Sequence, residues 1–189
     1  MLEFAVLGLL KESPLHGYEL RKRLNTSLGM FRAFSYGSLY PTLRRMREAG
    51  LIGEDAPDPS LPELKPLASR RGKVVYQLTA EGKEHFQELL ADVSADSYED
   101  EGFGVHFAFF SQTPAGVRMR ILEGRRRRVE ERREKLRAGL SRTRERLDNY
   151  TLELQRHGLD SVDREVRWLN ELIASEQAGT PPTVTNPEQ

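Results

Sequence analysis

FSYGSLYPTLRRMREAGLI, residues 34–52, is the stretch that decides the fold. Leu39, Leu43 and Met46 recur at i, i+4 and i+7, so residues 37–49 form a helix with one apolar face turned inward. Gly50 stands where a helix end takes a left-handed residue. Leu51-Ile52 then starts an extended segment. The remaining face carries Ser38, Tyr40, Pro41, Thr42, Arg44, Arg45 and Arg47 against a single acid, Glu48. A solvated helix usually mixes both signs of charge. This one offers arginines and small hydroxyls, and its neighbours decide what that face is for.

On the N-terminal side, residues 2–11 place Leu2, Val6, Leu9 and Leu10 at helical spacing, and Ser13-Pro14 ends the pattern. Residues 16–27 read as a second helix with Leu20 and Leu24 inward, interrupted at Gly29. On the C-terminal side, residues 56–69 hold four prolines and no period, a loop longer than most connections. KVVYQL, residues 73–78, reads as a strand. Thr79 is a good N-cap for the helix that follows. The first ninety residues therefore read helix, helix, helix, strand, long turn, strand, helix.

The second half is different, and long helical patterns dominate it. Residues 92–101 are acidic and polar and suit a linker or a helix end, and FGVHFAFF, residues 103–110, suits a short buried helix. Thr113-Pro114 resembles an N-cap with proline at the first helical position. From there one helix is expected over 114–157. Met119, Arg126, Arg133, Leu140, Leu147 and Leu154 fall in one heptad column, and Leu122, Val129, Leu136, Thr143 and Tyr150 in the other. His157-Gly158 is expected to end it. Asp160 or Ser161 would cap a last helix with Val162, Val166, Leu169 and Ile173 inward. Residues 179–189 read as a disordered tail.

The whole chain narrows the classes. It has 189 residues, 38% hydrophobic and 31% charged, and no cysteine. Disulfides, thiolate nucleophiles and thiolate metal sites are excluded. Net charge is zero but unevenly spread: Lys and Arg number 14 against 7 acids over residues 118–157, and none against 5 over 91–117. MLEFAVLGLL lacks a basic flank and a small-residue cleavage site and is too short to span a bilayer, so a buried first helix in a soluble, intracellular protein is expected. Four scattered histidines show no metal spacing, and no phosphate loop or nucleophile elbow occurs, which argues against an enzyme and against any cofactor.

Three helices, the third short and basic, followed by a two-stranded hairpin, make the layout of a winged helix-turn-helix. There the third helix enters the major groove of double-stranded DNA. Arginine can bind guanine in a bidentate way, and serine and threonine let the backbone come close to base edges. Arg70, Arg71 and Lys73 put a second basic point at the hairpin tip, suited to phosphates or the minor groove. Tyr18, near the start of the second helix, is a further candidate contact, with packing on the first helix as the plain alternative.

AVLGLL, HGYEL, YGSLYPTLRRMREAGLI and VVYQLTAEGKEHF, in this order, resemble the PadR-like transcriptional regulators. The resemblance implies a mainly α protein: a winged helix-turn-helix domain over residues 1–92, then a helical dimerisation domain over 103–178. It implies a homodimeric repressor acting in the cytoplasm, often relieved by a small aromatic or drug-like ligand, and the two-fold symmetry of such a dimer predicts a pseudo-palindromic operator. The loop 56–69 is longer than the family's usual wing connection, and Arg70-Arg71-Gly72-Lys73 lacks the proline often found there.

Dimerisation is expected to use Leu122, Val129, Leu136, Leu140, Leu147, Leu154 and Leu169. Phe107, Phe110 and Trp168 could wall an effector pocket, although packing alone would explain Trp168. The run Arg125–Arg128 is expected to pair with nearby glutamates rather than to touch DNA. The competing reading is an interaction protein that binds other proteins through its wing and coiled coil. Such a wing would present apolar residues on residues 38–47.

Overall fold

The computed structural model describes residues 1–28, 36–55, 74–143 and 147–180. The elements are α1 (Leu2–Glu12), β1 (Leu15–His16), α2 (Gly17–Leu28), α3 (Tyr36–Glu48), β2 (Ile52–Asp55), β3 (Val75–Leu78), α4 (Ala80–Ala91), α5 (Asp100–Ala108), α6 (Ala115–Thr143) and α7 (Asn149–Gln177). Short 3-10 turns lie at Ala95–Tyr98 and Phe110–Gln112. The strands form one antiparallel sheet in the order β1-β3-β2. In it Leu15 faces Tyr76 and Glu54 faces Tyr76 from the other side.

The chain divides into two compact units. The first is Met1–Asp92 with Asp100–Pro114, and the second is Val93–Glu99 with the chain from Ala115 onward. The boundary thus differs from the expected 92/103 division, because α5 joins the first unit. Its Val105, and Phe109 just beyond it, enter the same core as Phe4 and Phe86. The Phe109 ring meets those of Phe4 and Phe86 edge-on at 5.4 and 5.8 Å.

In this first unit α1 is buried from Phe4 to Leu10, all round rather than along one stripe. A helix apolar on every side belongs in the middle of a core. Leu20, Leu24 and Leu28 of α2 and Leu39, Leu43 and Met46 of α3 close on it. Each fully buried leucine stabilises the fold by about 1.5–3 kcal/mol. The two-residue strand β1 has no counterpart in the expected element order; it is too short to leave a period.

The second unit departs most from expectation. No single helix runs over 114–157. α6 stops at Thr143, and α7 starts at Asn149 and passes through His157 and Gly158 without a break. Asp148 makes the new start: its carboxylate accepts from the backbone N–H groups of Tyr150 and Thr151 at 2.9 and 3.0 Å and from the Thr151 hydroxyl at 2.6 Å. That satisfies donors a helix start otherwise leaves unpaired. α6 and α7 form an antiparallel hairpin with Val162, Val166, Leu169, Leu172 and Ile173 of α7 buried.

The hairpin is cross-linked by arginines. Arg118 donates from Nε and Nη2 to the two oxygens of Glu176 at 2.8 and 2.7 Å. Arg125, buried, donates twice to Glu165 Oε1 at 2.8 and 2.6 Å and once to the Tyr98 carbonyl at 3.2 Å. Arg126 reaches Asn170, Arg137 reaches Asp163, and Arg128 pairs with Glu99. The 125–128 run therefore contributes to pairing, but with distant partners instead of neighbours one turn away.

Candidate nucleic-acid interface

α3 is held from within by Leu39, Leu43 and Met46, at most 1% exposed. Its end is held by a glycine turn. Gly50 adopts φ +73, its N–H reaches the Arg47 carbonyl, and the Leu51 N–H reaches the Met46 carbonyl, both at 2.9 Å. This paired closure satisfies the last carbonyls of the helix, and a side chain at position 50 would strain it. The turn is also tied to α4. The Thr79 hydroxyl lies 2.7 and 3.0 Å from the Gly50 and Leu51 carbonyls, and it accepts from the Gly82 N–H at 3.0 Å. A Cβ on Gly82 would collide with the Leu51 carbonyl, so only glycine lets α4 start here.

Ser38, Pro41, Arg44, Arg45 and Arg47 are exposed on the outer side of α3. Thr42 is not: it is 4% exposed. Its hydroxyl donates to the Ser38 carbonyl at 2.9 Å and accepts from Arg45 Nη2 at 3.2 Å. The expectation of Thr42 as a direct contact is corrected accordingly. Four residues after Ser38 its hydroxyl bonds back along the helix, and there it steadies Arg45 instead.

Tyr40 is half-buried against the core, its hydroxyl over the bare Cα of Gly17, where an added Cβ would lie 3.2 Å away. Tyr18 is 62% exposed, which leaves most of its surface open to a partner. Arg70, Arg71 and Lys73 lie outside the described residues.

Beside α3 an open cleft of about 480 Å³ is lined by Tyr40, Arg44, Arg47, Glu54, Val74 and Tyr76. Arg47 Nη1 donates to Glu54 Oε1 at 2.8 Å across it. The Tyr76 hydroxyl is pushed above its ordinary pKa by burial first and by the charge of Glu54 second. Neither Glu54 nor its pairing with Arg47 emerged from the sequence. The available signal was the short Gly50 turn, which folds β2 back alongside the end of α3.

Phe107 is half-buried between Phe103 and Phe110, at 5.7 and 4.9 Å between ring centres. Phe107 and Phe110 belong to the first unit and Trp168 to the second. Of the residues expected at a dimer seam, Leu122, Val129 and Leu169 are already buried within the single chain. Leu136, Leu140 and Leu147 are half-buried. Leu154 is 68% exposed, and Tyr150, from the same heptad pattern, is 90% exposed. Among the described residues no cluster of acids and histidines could hold a metal ion, and no helix is long and apolar enough to cross a membrane.

Residues 6–88 match the transcriptional regulator PadR-like family, whose members are regulators and not enzymes. The negative transcriptional regulator PadR of Bacillus subtilis is 27% identical over 90 residues, 48% of this chain and 45% of that protein, so the match spans under half of the curated relative. Among solved structures, Bacillus subtilis PadR in complex with operator DNA is 20% identical, with 93% of this chain and 98% of that chain covered and a TM-score of 0.43. The virulence activator AphA of Vibrio cholerae is 21% identical, with 95% and 100% covered and a TM-score of 0.39.

Proposed function

We propose that this chain, which carries a PadR-like family domain over residues 6–88, is a homodimeric, sequence-specific DNA-binding transcriptional regulator that acts in the cytoplasm as a repressor. The observation that carries the reading is the outer face of α3. Ser38, Pro41, Arg44 and Arg45 stand exposed on a helix fixed by its own buried face. A rigid helix with small and basic residues outward suits the major groove. Arg44 and Arg45 are the base or phosphate contacts, with Tyr40 and Tyr18 offering hydroxyls to phosphate oxygens. The apolar surface expected of a protein-binding wing is not found on these positions.

Self-association is supported by Tyr150 and Leu154, large side chains left uncovered on α7. A two-fold dimer presents two copies of α3 and reads a pseudo-palindrome, its half-sites about 34 Å apart or a multiple of that. Repression agrees with the description of the Bacillus subtilis relative as a negative regulator. Release by a small aromatic ligand completes the reading; such a ligand must bind one spacing of the two α3 helices better than another.

The test is fluorescence anisotropy of the full chain on a duplex from upstream of its own gene, with a random duplex as control, across a salt series. Binding that prefers the upstream duplex and weakens with salt is expected. Equal or absent binding to both would turn attention to a protein partner.

A further inference from the structure

Arg47 and Glu54 meet at 2.8 Å, with side chains 48% and 34% exposed. Exposed pairs of this kind add little to folding, so their placement calls for another reason. Glu54 sits on β2, opposite Tyr76 in the sheet, at the edge of the cleft that Arg44 and Arg47 also line. It is the single carboxylate among the cleft-lining residues, on the basic side of α3. We propose that Glu54 is an electrostatic brake on that face. It holds Arg47 in the free protein and removes one positive charge from the count that draws α3 to any polyanion.

This rests on the DNA-binding reading. A phosphate arriving at Arg47 meets one of two situations. If Arg47 stays on Glu54, it brings no net charge to the contact. If it leaves, a bare carboxylate is left on β2 beside the incoming backbone. Both reduce attraction, and both do so whatever the base sequence, because phosphate attraction is sequence-independent and scales with the charges neutralised. The contacts of Arg44 and Arg45 are untouched, so a larger share of the affinity depends on them.

The test uses the full chain and a random-sequence duplex, by anisotropy between low and moderate salt. Glu54→Gln keeps the shape and removes the charge. Its affinity at low salt is expected to rise about three- to tenfold, and the slope of log affinity against log salt to steepen by about 0.9. Arg47→Ala should change both in the opposite direction. The double variant, with both charges gone, should return close to the wild-type slope, a sign pattern that a merely structural role would not produce. Glu54→Thr, a good strand former, serves if the glutamine variant folds poorly. Unchanged affinity and slope in both Glu54 variants, while Arg44→Ala still weakens binding, would overturn the brake and leave the DNA reading standing. No salt-dependent binding by the wild type or any variant would overturn both.

Discussion

α3 and the α6–α7 hairpin are both rich in arginine, yet they use it in opposite ways. Arg118, Arg125, Arg128, Arg133 and Arg137 of the hairpin are each matched to a carboxylate of the same unit. Among the described residues no carboxylate pairs with Arg44 or Arg45 of α3, and Arg47 has only Glu54. An arginine whose acid is supplied by its own chain is spent on the fold. One whose acid is missing is available to a partner that brings the negative charge. Four arginines in a row looked the more conspicuous signal, but the quieter helix holds the open cations.

The contrast is broken hardest at Arg125. Arg125→Ala would leave the partly buried Glu165 unpaired and the Tyr98 carbonyl without its donor. A loss of about 3 kcal/mol in unfolding free energy is expected by denaturant titration. Replacing Arg125 and Glu165 together by Met and Leu should recover most of it. A small effect of the single change would mean that the hairpin arginines, too, are dispensable surface charges.

Arg44→Ala should do the reverse: about 1–3 kcal/mol lost in specific DNA binding, with unfolding free energy within about 0.5 kcal/mol of wild type. Stability lost along with binding would show that Arg44 belongs to the fold. Thr42→Val falls between the two. Removing its hydroxyl costs about 1 kcal/mol of stability and weakens binding through the loosened Arg45, so both readouts should move together, by melting and by anisotropy.

The smallest effect is a pH dependence at the start of α7. Hydrogen bonds from Thr151, first its hydroxyl and then its N–H, hold Asp148 below its ordinary pKa. The fold thus favours the charged form. The cap's contribution is complete above the unfolded-state pKa near 4 and is lost as pH falls through the lower folded value. Protection of the Tyr150 and Thr151 amides, taken relative to the intrinsic exchange rate at each pH, should hold at neutral pH and fall in acid, and Asp148→Asn should flatten that change.

These pairs also explain what could be read from the chain. The buried face of α3, its stop at Gly50 and the Thr79 cap are local patterns, and the structure carries them all. The sequence hides the break between α6 and α7, because the heptad columns continue through Leu147 and Leu154 and Gly158 resembles a terminator. Nothing lies within 4 Å of where a Cβ on Gly158 would stand; it sits inside α7 at the ordinary cost of about 1 kcal/mol. Asp148 followed by Thr151 was the better sign. The hairpin arginines take partners 26 to 58 residues away, and no local spacing announces such pairing. Thr42 misled for a related reason: a small polar residue next to the apolar stripe can turn either way.

The junction of Gly50, Thr79 and Gly82 has a consequence for how this chain can change over time. It fixes the end of α3 to the start of α4 through main-chain and threonine atoms, without using any side chain of the outer face. Ser38, Pro41, Arg44 and Arg45 can therefore be exchanged while the frame that aims them stays put. On the DNA-binding reading, the scaffold is open to reprogramming toward new operators by a few surface substitutions, and Thr42, buried beneath them, marks the depth at which that freedom ends.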